Sequence, residues 1–383
     1  MSMGRLLTVV CALGAALAVA PASAQDTIKI GVSQPLTGAF AASGNYVAQG
    51  AKIAEDDINK AGGVLGKKIQ LVIEDNKSNP TEAVATAEKL IQKDKVPVMM
   101  GAWSSTLTLA VMPKLMEYEV PMLVETSSSG KITTSGNPWI FRISPTSEME
   151  AKAFAGNVRA LGIKQADFLA TNNDFGLGAM QEFEKMLKAA GVEIGAKETM
   201  DPKAIDFSAQ LAKIKASGGD TLFVTTDVSQ ATVILKQAKE QQLKARIITT
   251  GGSVSPDQLI AQAGEAANGS MHLVFFTPWF PDVVKNPALA TAFVKAWNAK
   301  GHNVGGLTEG FRGYDGITTI VAAIKAAGTA EPKAIQKALW AVKVKGINGD
   351  IAFIKQGPAG QESAQNVPSV YLIKIDGGKI VKM

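Results

Sequence analysis

The sequence predicts an α/β protein built of two doubly wound, Rossmann-like lobes, and three observations predict it. From Thr27 onward, short β-rich runs alternate with amphipathic helical stretches, the pattern of parallel sheets wrapped by helices on both faces. That alternation occurs twice over similar lengths, before and after Ile143-Ser144-Pro145. At 383 residues the chain exceeds what one hydrophobic core usually serves, and no Gly/Ser- or Pro-rich linker separates the halves.

The elements follow in order. Thr27 to Val32 reads as a strand, Gly38 to Gly44 as a loop and Tyr46 to Lys60 as a helix. Val47, Ala51, Ala54 and Ile58 recur there at three- and four-residue intervals, and Gly62-Gly63 ends the helix. Strand Ile69–Glu74, helix Thr81–Lys93, strand Val96–Met100, helix Ser104–Tyr118 and strand Pro121–Val124 complete the first unit. The second runs through helix Glu148–Leu161, strand Ala166–Ala170, helix Gly178–Ala190 and strand Val192–Glu198. Helix Phe207–Ala216, strand Thr221–Thr225, helix Gln230–Gln241 and strand Ala245–Thr249 follow, with a strand-like run at Met271–Phe276. A third block of helices (Ala288–Lys300, Phe311–Ala327, Pro332–Ala341) and strand-like runs (Ile351–Ile354, Tyr371–Ile375) is too short to be a domain. It is expected to return across the boundary near Thr277-Pro278 and finish both lobes. The expected division is 25–143 with 278–350 for lobe 1, and 144–277 with 351–383 for lobe 2.

The first residues predict the compartment. Arg5 is the lone charge before Asp26, Leu6 to Ala20 is apolar throughout, and Pro21 precedes Ala22-Ser23-Ala24. A positive start, a short apolar core and an A-x-A site describe a secretory signal peptide, 1–24, cleaved before Gln25. The run is shorter than the ~20 residues that span a bilayer. Export to the periplasm and a soluble processed chain are the expectation.

Charge and composition exclude several classes. The net charge of +5 is spread as single lysines beside acids, as in Glu182-Phe183-Glu184-Lys185, rather than clustered as a nucleic-acid surface requires. Cys11 is the one cysteine and leaves with the signal segment, which removes disulfides, thiol catalysis and Cys-ligated metals. His272 and His302 have no second ligand at metal spacing, and neither a phosphate loop nor a nucleophile elbow is present. Gly176-Leu-Gly178 has Gln181 where a dinucleotide site wants its third glycine. The chain is therefore expected to be no enzyme and to carry no cofactor or metal.

A positive signal lies at two strand ends. Gly101-Ala-Trp103-Ser104-Ser105-Thr106 joins a buried strand to a helix start, and Thr126-Ser127-Ser128-Ser129-Gly130 follows the next strand. Ligands bind open α/β sheets at this carboxyl edge. Unpaired helix-start N–H groups and serine hydroxyls together suit a carboxylate without any buried Lys or Arg. N-capping by Ser and Thr is the plainer role for either run alone.

The order of short motifs then resembles the leucine/isoleucine/valine-type solute-binding proteins of bacterial ABC importers. The motifs are Ile28-Lys-Ile-Gly31, Leu36-Thr-Gly38, Gly50-Ala51, Asp57-Ile-Asn59, Ala61-Gly-Gly63, Asp75-Asn76 with Pro80 and Ala83, Gly101 with Ser104-Ser105, Asp174-Phe-Gly176-Leu-Gly178, Asp206-Phe-Ser208 and Tyr314-Asp315. They span essentially the whole chain after Ala24. The resemblance implies the type I periplasmic binding protein fold, two lobes joined by three crossovers with ligand in the cleft. It implies a carboxylate held by Ser105 and Ser128 with backbone near Thr126, and Phe175 covering the ligand. Ser104 stands where many members carry a disulfide cysteine. The acid and tyrosine that hold an α-ammonium in the family are replaced by Gly251 and Asp227, so the ligand is expected to be a small carboxylate lacking that ammonium, an aromatic acid among the candidates. The candidate ligand-binding set is Ser43, Trp103, Ser104, Ser105, Thr126, Ser127, Ser128, Phe175, Asp227 and Gly251. The expected partners are that ligand and membrane permease subunits, with a monomeric receptor and no nucleic acid. Service as a sensor on the same fold, or as an amino-acid receptor, is the alternative.

Overall fold

The computed structural model describes residues 27–383. The signal segment and its cleavage site lie outside the described residues. The first run of elements is β1 (Ile28–Gln34), α1 (Ala41–Lys60), β2 (Ile69–Asp75), α2 (Pro80–Glu88), β3 (Met99–Met100), α3 (Ser105–Tyr118), β4 (Met122–Val124), α4 (Lys131–Thr134) and β5 (Ile140–Arg142). The second is α5 (Ser147–Ala160), β6 (Gln165–Thr171), α6 (Asp174–Ala189), β7 (Glu193–Met200), α7 (Ser208–Ser217), β8 (Thr221–Thr225), α8 (Val228–Glu240), β9 (Arg246–Thr250), α9 (Pro256–Ala263) and β10 (Met271–Val274). Then come α10 (Pro287–Ala299), α11 (Leu307–Ala327), α12 (Pro332–Leu339), β11 (Val344–Gly346), β12 (Gly349–Ile351), β13 (Ile354–Gln356), β14 (Ser363–Gln365), β15 (Tyr371–Asp376) and β16 (Lys379–Lys382).

Two seven-stranded sheets result. The first is ordered β13-β14-β5-β4-β3-β1-β2 and the second β16-β15-β10-β9-β8-β6-β7. Within each, the five strands that alternate with helices pair in parallel. Later strands close one edge: β14 adds in parallel to β5 with β13 antiparallel beyond it, and β15 adds antiparallel to β10 with β16 antiparallel beyond it. Strand order reverses between β1 and β3 in the first sheet, and between β6 and β8 in the second. These reversals open a crevice beyond the strands' carboxyl ends.

Buried clusters cover both faces of each sheet. In the first lobe α1 and α11 cross closely: a Cβ added at Gly50 would fall 1.7 Å from the carbonyl oxygen of Gly310. Only hydrogen fits there. Phe141 on β5 meets Trp340 and Phe353 edge-on, at 5.3 and 5.5 Å, and burying such a ring contributes about 1.5–3 kcal/mol. In the second lobe Phe154, Phe168, Phe183 and Phe223 pack as one aromatic group.

Three expectations need correction. Residues 351–383 do not all finish the second lobe, because β13 and β14 join the first sheet. Ala364 and Gln365 pair in parallel with Phe141 and Arg142, and the buried Arg142 Nε donates to Gln365 Oε1 at 2.6 Å. The last passage between sheets therefore lies between Gln365 and Tyr371. Ile351 to Ile354 is likewise two strand ends rather than one strand. Finally, α1 begins at Ala41, so Ser43 stands on its first turn, buried, rather than in a loop. Asn45 Nδ2 donates to the carbonyls of Leu36 and Ala41, which stabilises that early start.

Candidate functional site

The two strand-order reversals face one cavity. From the first lobe it is lined by Phe40 after β1, by Trp103, Ser104 and Ser105 after β3, and by Thr126, Ser127 and Ser128 after β4. From the second it is lined by Thr171, Asn173 and Phe175 after β6, by Asp227 after β8 and by Ser253 after β9. No lysine or arginine is among them. A pocket between Glu125, Arg312, Asp315 and the three interlobe passages lies at the hinge and is a separate space.

The first-lobe wall is held by backbone and hydroxyl bonds. Ser104 is extended at the start of α3 and its side chain makes no capping bond, so capping does not account for it. Ser105 Oγ accepts the N–H of Ser129 at 3.1 Å, tying the two strand ends together. Ser127 Oγ donates to the Trp103 carbonyl at 2.9 Å and lies 2.7 Å from Thr108 Oγ1. Ser128 Oγ sits 3.4 Å from Ser147 Oγ. Beneath this loop the Arg142 guanidinium donates to the carbonyls of Ser127 and Ser129, at 3.2 and 2.6 Å. Those carbonyls are thus turned toward buried charge, and the loop's shape is fixed by it.

Aromatic groups fill the flank. Trp103 packs on Phe40 with ring centroids 5.0 Å apart, in the left-handed region at φ 67° that non-glycine residues seldom adopt. Its indole N–H donates to Glu309 at 3.3 Å, and Glu309 is ion-paired with Arg312 at 3.5 Å. Arg312 Nη2 in turn donates to the carbonyl of Gly252 in the second lobe.

The second-lobe wall uses helix starts. Asn173 caps α6 by accepting the N–H of Gly176 at 2.9 Å. Asp227 caps α8 through Oδ1, which accepts from Ser229 and Gln230 at 2.8 and 3.3 Å. Burial raises the Asp227 carboxyl above the usual carboxylate range, against the pull of those backbone bonds. Gly251 does not line the cavity; it lies beneath the Phe175 ring.

The structure therefore brings together eight of the ten candidate residues, all except Ser43 and Gly251. Four lining residues stand outside that set: Phe40, Thr171, Asn173 and Ser253. Thr171 and Asn173 end β6 as Ser104 and Ser105 end β3, so the same strand-end argument reaches them; Ser253 gave no comparable signal. Elsewhere, His272 is buried between Thr249 Oγ1 and Ser270 Oγ, each at 2.8 Å.

Comparison with known proteins agrees with this architecture. A family model described as periplasmic binding protein matches residues 27–379. The leucine-, isoleucine-, valine-, threonine- and alanine-binding protein of Pseudomonas aeruginosa is 30% identical, covering 87% of each chain. The Leu/Ile/Val-binding protein BraC3 of Rhizobium johnstonii is 29% identical over 98% of this chain and 99% of its own. Among solved structures, the leucine-binding protein LivK of Thermotoga maritima superposes with a TM-score of 0.82 at 26% identity, covering 93% of this chain and 98% of its own. A solute-binding protein of Rhodopseudomonas palustris, in complex with 3,4-dihydroxybenzoic acid, gives 0.80 at 26% identity, covering 93% and 96%. Sheet order, facing crevices and these matches assign the chain to the periplasmic binding proteins, in the branch of the Leu/Ile/Val-binding receptors and not among enzymes.

Proposed function

We propose that this protein is the periplasmic receptor of an ABC importer and that it captures a small carboxylate between its lobes. The observation that carries this reading is the pair of facing strand-end crevices, one lined by Ser104, Ser105 and Thr126–Ser128 at a helix start left uncapped by any side chain. Such a wall supplies N–H and O–H donors and a partial positive charge without a cationic side chain. In this reading the chain is exported by its first 24 residues, is cleaved before Gln25, acts as a monomer and delivers ligand to membrane permease subunits. Among the described residues no helix is long and apolar enough to cross a membrane.

The ligand in this proposal lacks an α-ammonium and carries a flat ring. An ammonium in a dry cleft needs a charge partner, and Gly251 offers none while the Phe175 ring occupies the space above it. Phe40, Trp103 and Phe175 supply ring-packing surface. The relative bound to 3,4-dihydroxybenzoic acid is consistent with such a ligand. Asp227 favours a second reading, an α-amino acid whose ammonium meets that carboxylate; the name of the Pseudomonas relative favours it too.

Calorimetry separates them. Leucine, valine and phenylalanine are titrated alongside benzoate, phenylacetate and 2-oxo acids. The first reading expects heat from the ammonium-free acids; micromolar binding of a branched-chain amino acid with silence from the others establishes the second.

A further inference from the structure

Beside the cavity, the two lobes also touch each other directly. Thr106 follows the pocket residue Ser105 at the start of α3, and Asp174 precedes the pocket residue Phe175 at the start of α6. Thr106 Oγ1 donates to Asp174 Oδ2 at 3.0 Å, and the backbone N–H of Asp174 points back at the same hydroxyl at 3.3 Å. Lys131, on the first lobe's α4, donates to Asp174 Oδ1 at 3.1 Å. Both oxygens of Asp174 are therefore engaged by the opposite lobe. The helix beginning there does not need this side chain, because Asn173 is its cap. A carboxylate at a helix start that is spent wholly on the facing lobe has a role in how the lobes meet.

We propose that Asp174 is a positioning residue that latches the lobes closed at the rim of the cleft. Its contacts form only when the starts of α3 and α6 approach, so they stabilise closure whatever ligand lies inside. Placed one residue from Phe175, the latch also holds that ring over the cavity. The two halves of the latch differ in environment. Lys131 is 72% exposed and Asp174 29%, so the ion pair is screened by salt. The Thr106 bond is partly buried and far less sensitive.

The test reads lobe separation without ligand. The one native cysteine, Cys11, precedes Gln25; spin labels at Met116→Cys on α3 and Lys185→Cys on α6, both exposed, therefore report the distance cleanly. Asp174→Ala and Thr106→Val should each move the ligand-free distribution toward longer distances with secondary structure unchanged. Lys131→Ala should do so at low salt and lose its effect in high salt. With benzoate as probe, release should quicken about 3–10-fold while association stays within about twofold. Thr106→Val, nearly isosteric, serves if Asp174→Ala misfolds. Folded variants whose distance distribution matches wild type overturn the latch. Absence of benzoate binding by wild type instead counts against the aromatic-acid reading of the site, and the distance measurement still decides the latch.

Discussion

The Phe175 ring occupies the place a side chain at Gly251 would take: an added Cβ falls 2.3 Å from Phe175 Cζ and 2.4 Å from Cε2. Gly251 also has φ +85°, a region L side chains rarely adopt. Gly251→Ala should therefore destabilise the protein by about 1–3 kcal/mol in denaturant titration. Part of that loss should return in the double variant with Phe175→Ala, since the steric share requires the ring. Full additivity of the two changes would show that ring and glycine are energetically independent.

The serine pair should not respond equally to truncation. Ser105→Ala and Ser128→Ala should each weaken binding by roughly 1–3 kcal/mol, as loss of a hydrogen bond to a charged group does in a dry cleft. Ser105→Ala should cost more, because Ser105 Oγ also accepts the buried N–H of Ser129. Calorimetry with the tightest acid of the panel checks this; wild-type affinity in both variants would place the carboxylate elsewhere.

Asp227→Asn separates cap from charge. An asparagine side-chain oxygen still caps α8, so the melting temperature should hold. For an ammonium-free acid, removing the carboxylate removes a like charge, and affinity should rise. For an α-amino acid it removes the counter-charge, and affinity should fall. The sign of the change, read by calorimetry, identifies the ligand class.

His272 predicts an acid limb in stability. Complete burial pushes its imidazole down to about 3, below the 6.5 of an ordinary histidine. Between these values the unfolded chain binds the proton and the folded one does not. The neutral histidine's contribution is therefore present above pH 6.5 and is lost as pH falls toward 3, with a slope of at most about 1.4 kcal/mol per pH unit. Glu125 and Glu150 run the other way: burial raises them to about 7 and about 8, so their contribution declines as pH rises from about 4.5. Urea midpoints of wild type minus His272→Gln isolate the histidine, and a flat difference between pH 3 and 6.5 would contradict it.

The sequence made the parallel sheets and the first-lobe wall legible because both leave local marks. Strand-helix alternation shows in periodicity, and Ser104-Ser105 and Ser127-Ser128 stand next to their strands. What escaped depends on contacts distant in the chain. Nothing near Ser363 states that it will bond Asn137, 226 positions earlier, so the last passage between lobes was drawn too soon. Arg142 carries no sequence signal of its own, yet it anchors the 127–129 loop from below. Nothing in the sequence around Gly251 indicates that the Phe175 ring, 76 positions earlier, lies against it.

The pairing of β14 with β5 has a consequence for biogenesis. Until Ser363–Gln365 is available, β5 is the outer strand of its sheet, and the buried Arg142 lacks the Gln365 oxygen that receives it. The first lobe is encoded on both sides of the second-lobe segment, so a nascent chain some 350 residues long still carries an incomplete edge open to pairing with other chains. Truncation just before Ser363 should thus yield aggregation rather than a soluble fragment. Removing only β16, whose four residues cover the far edge of the other sheet, should be far better tolerated.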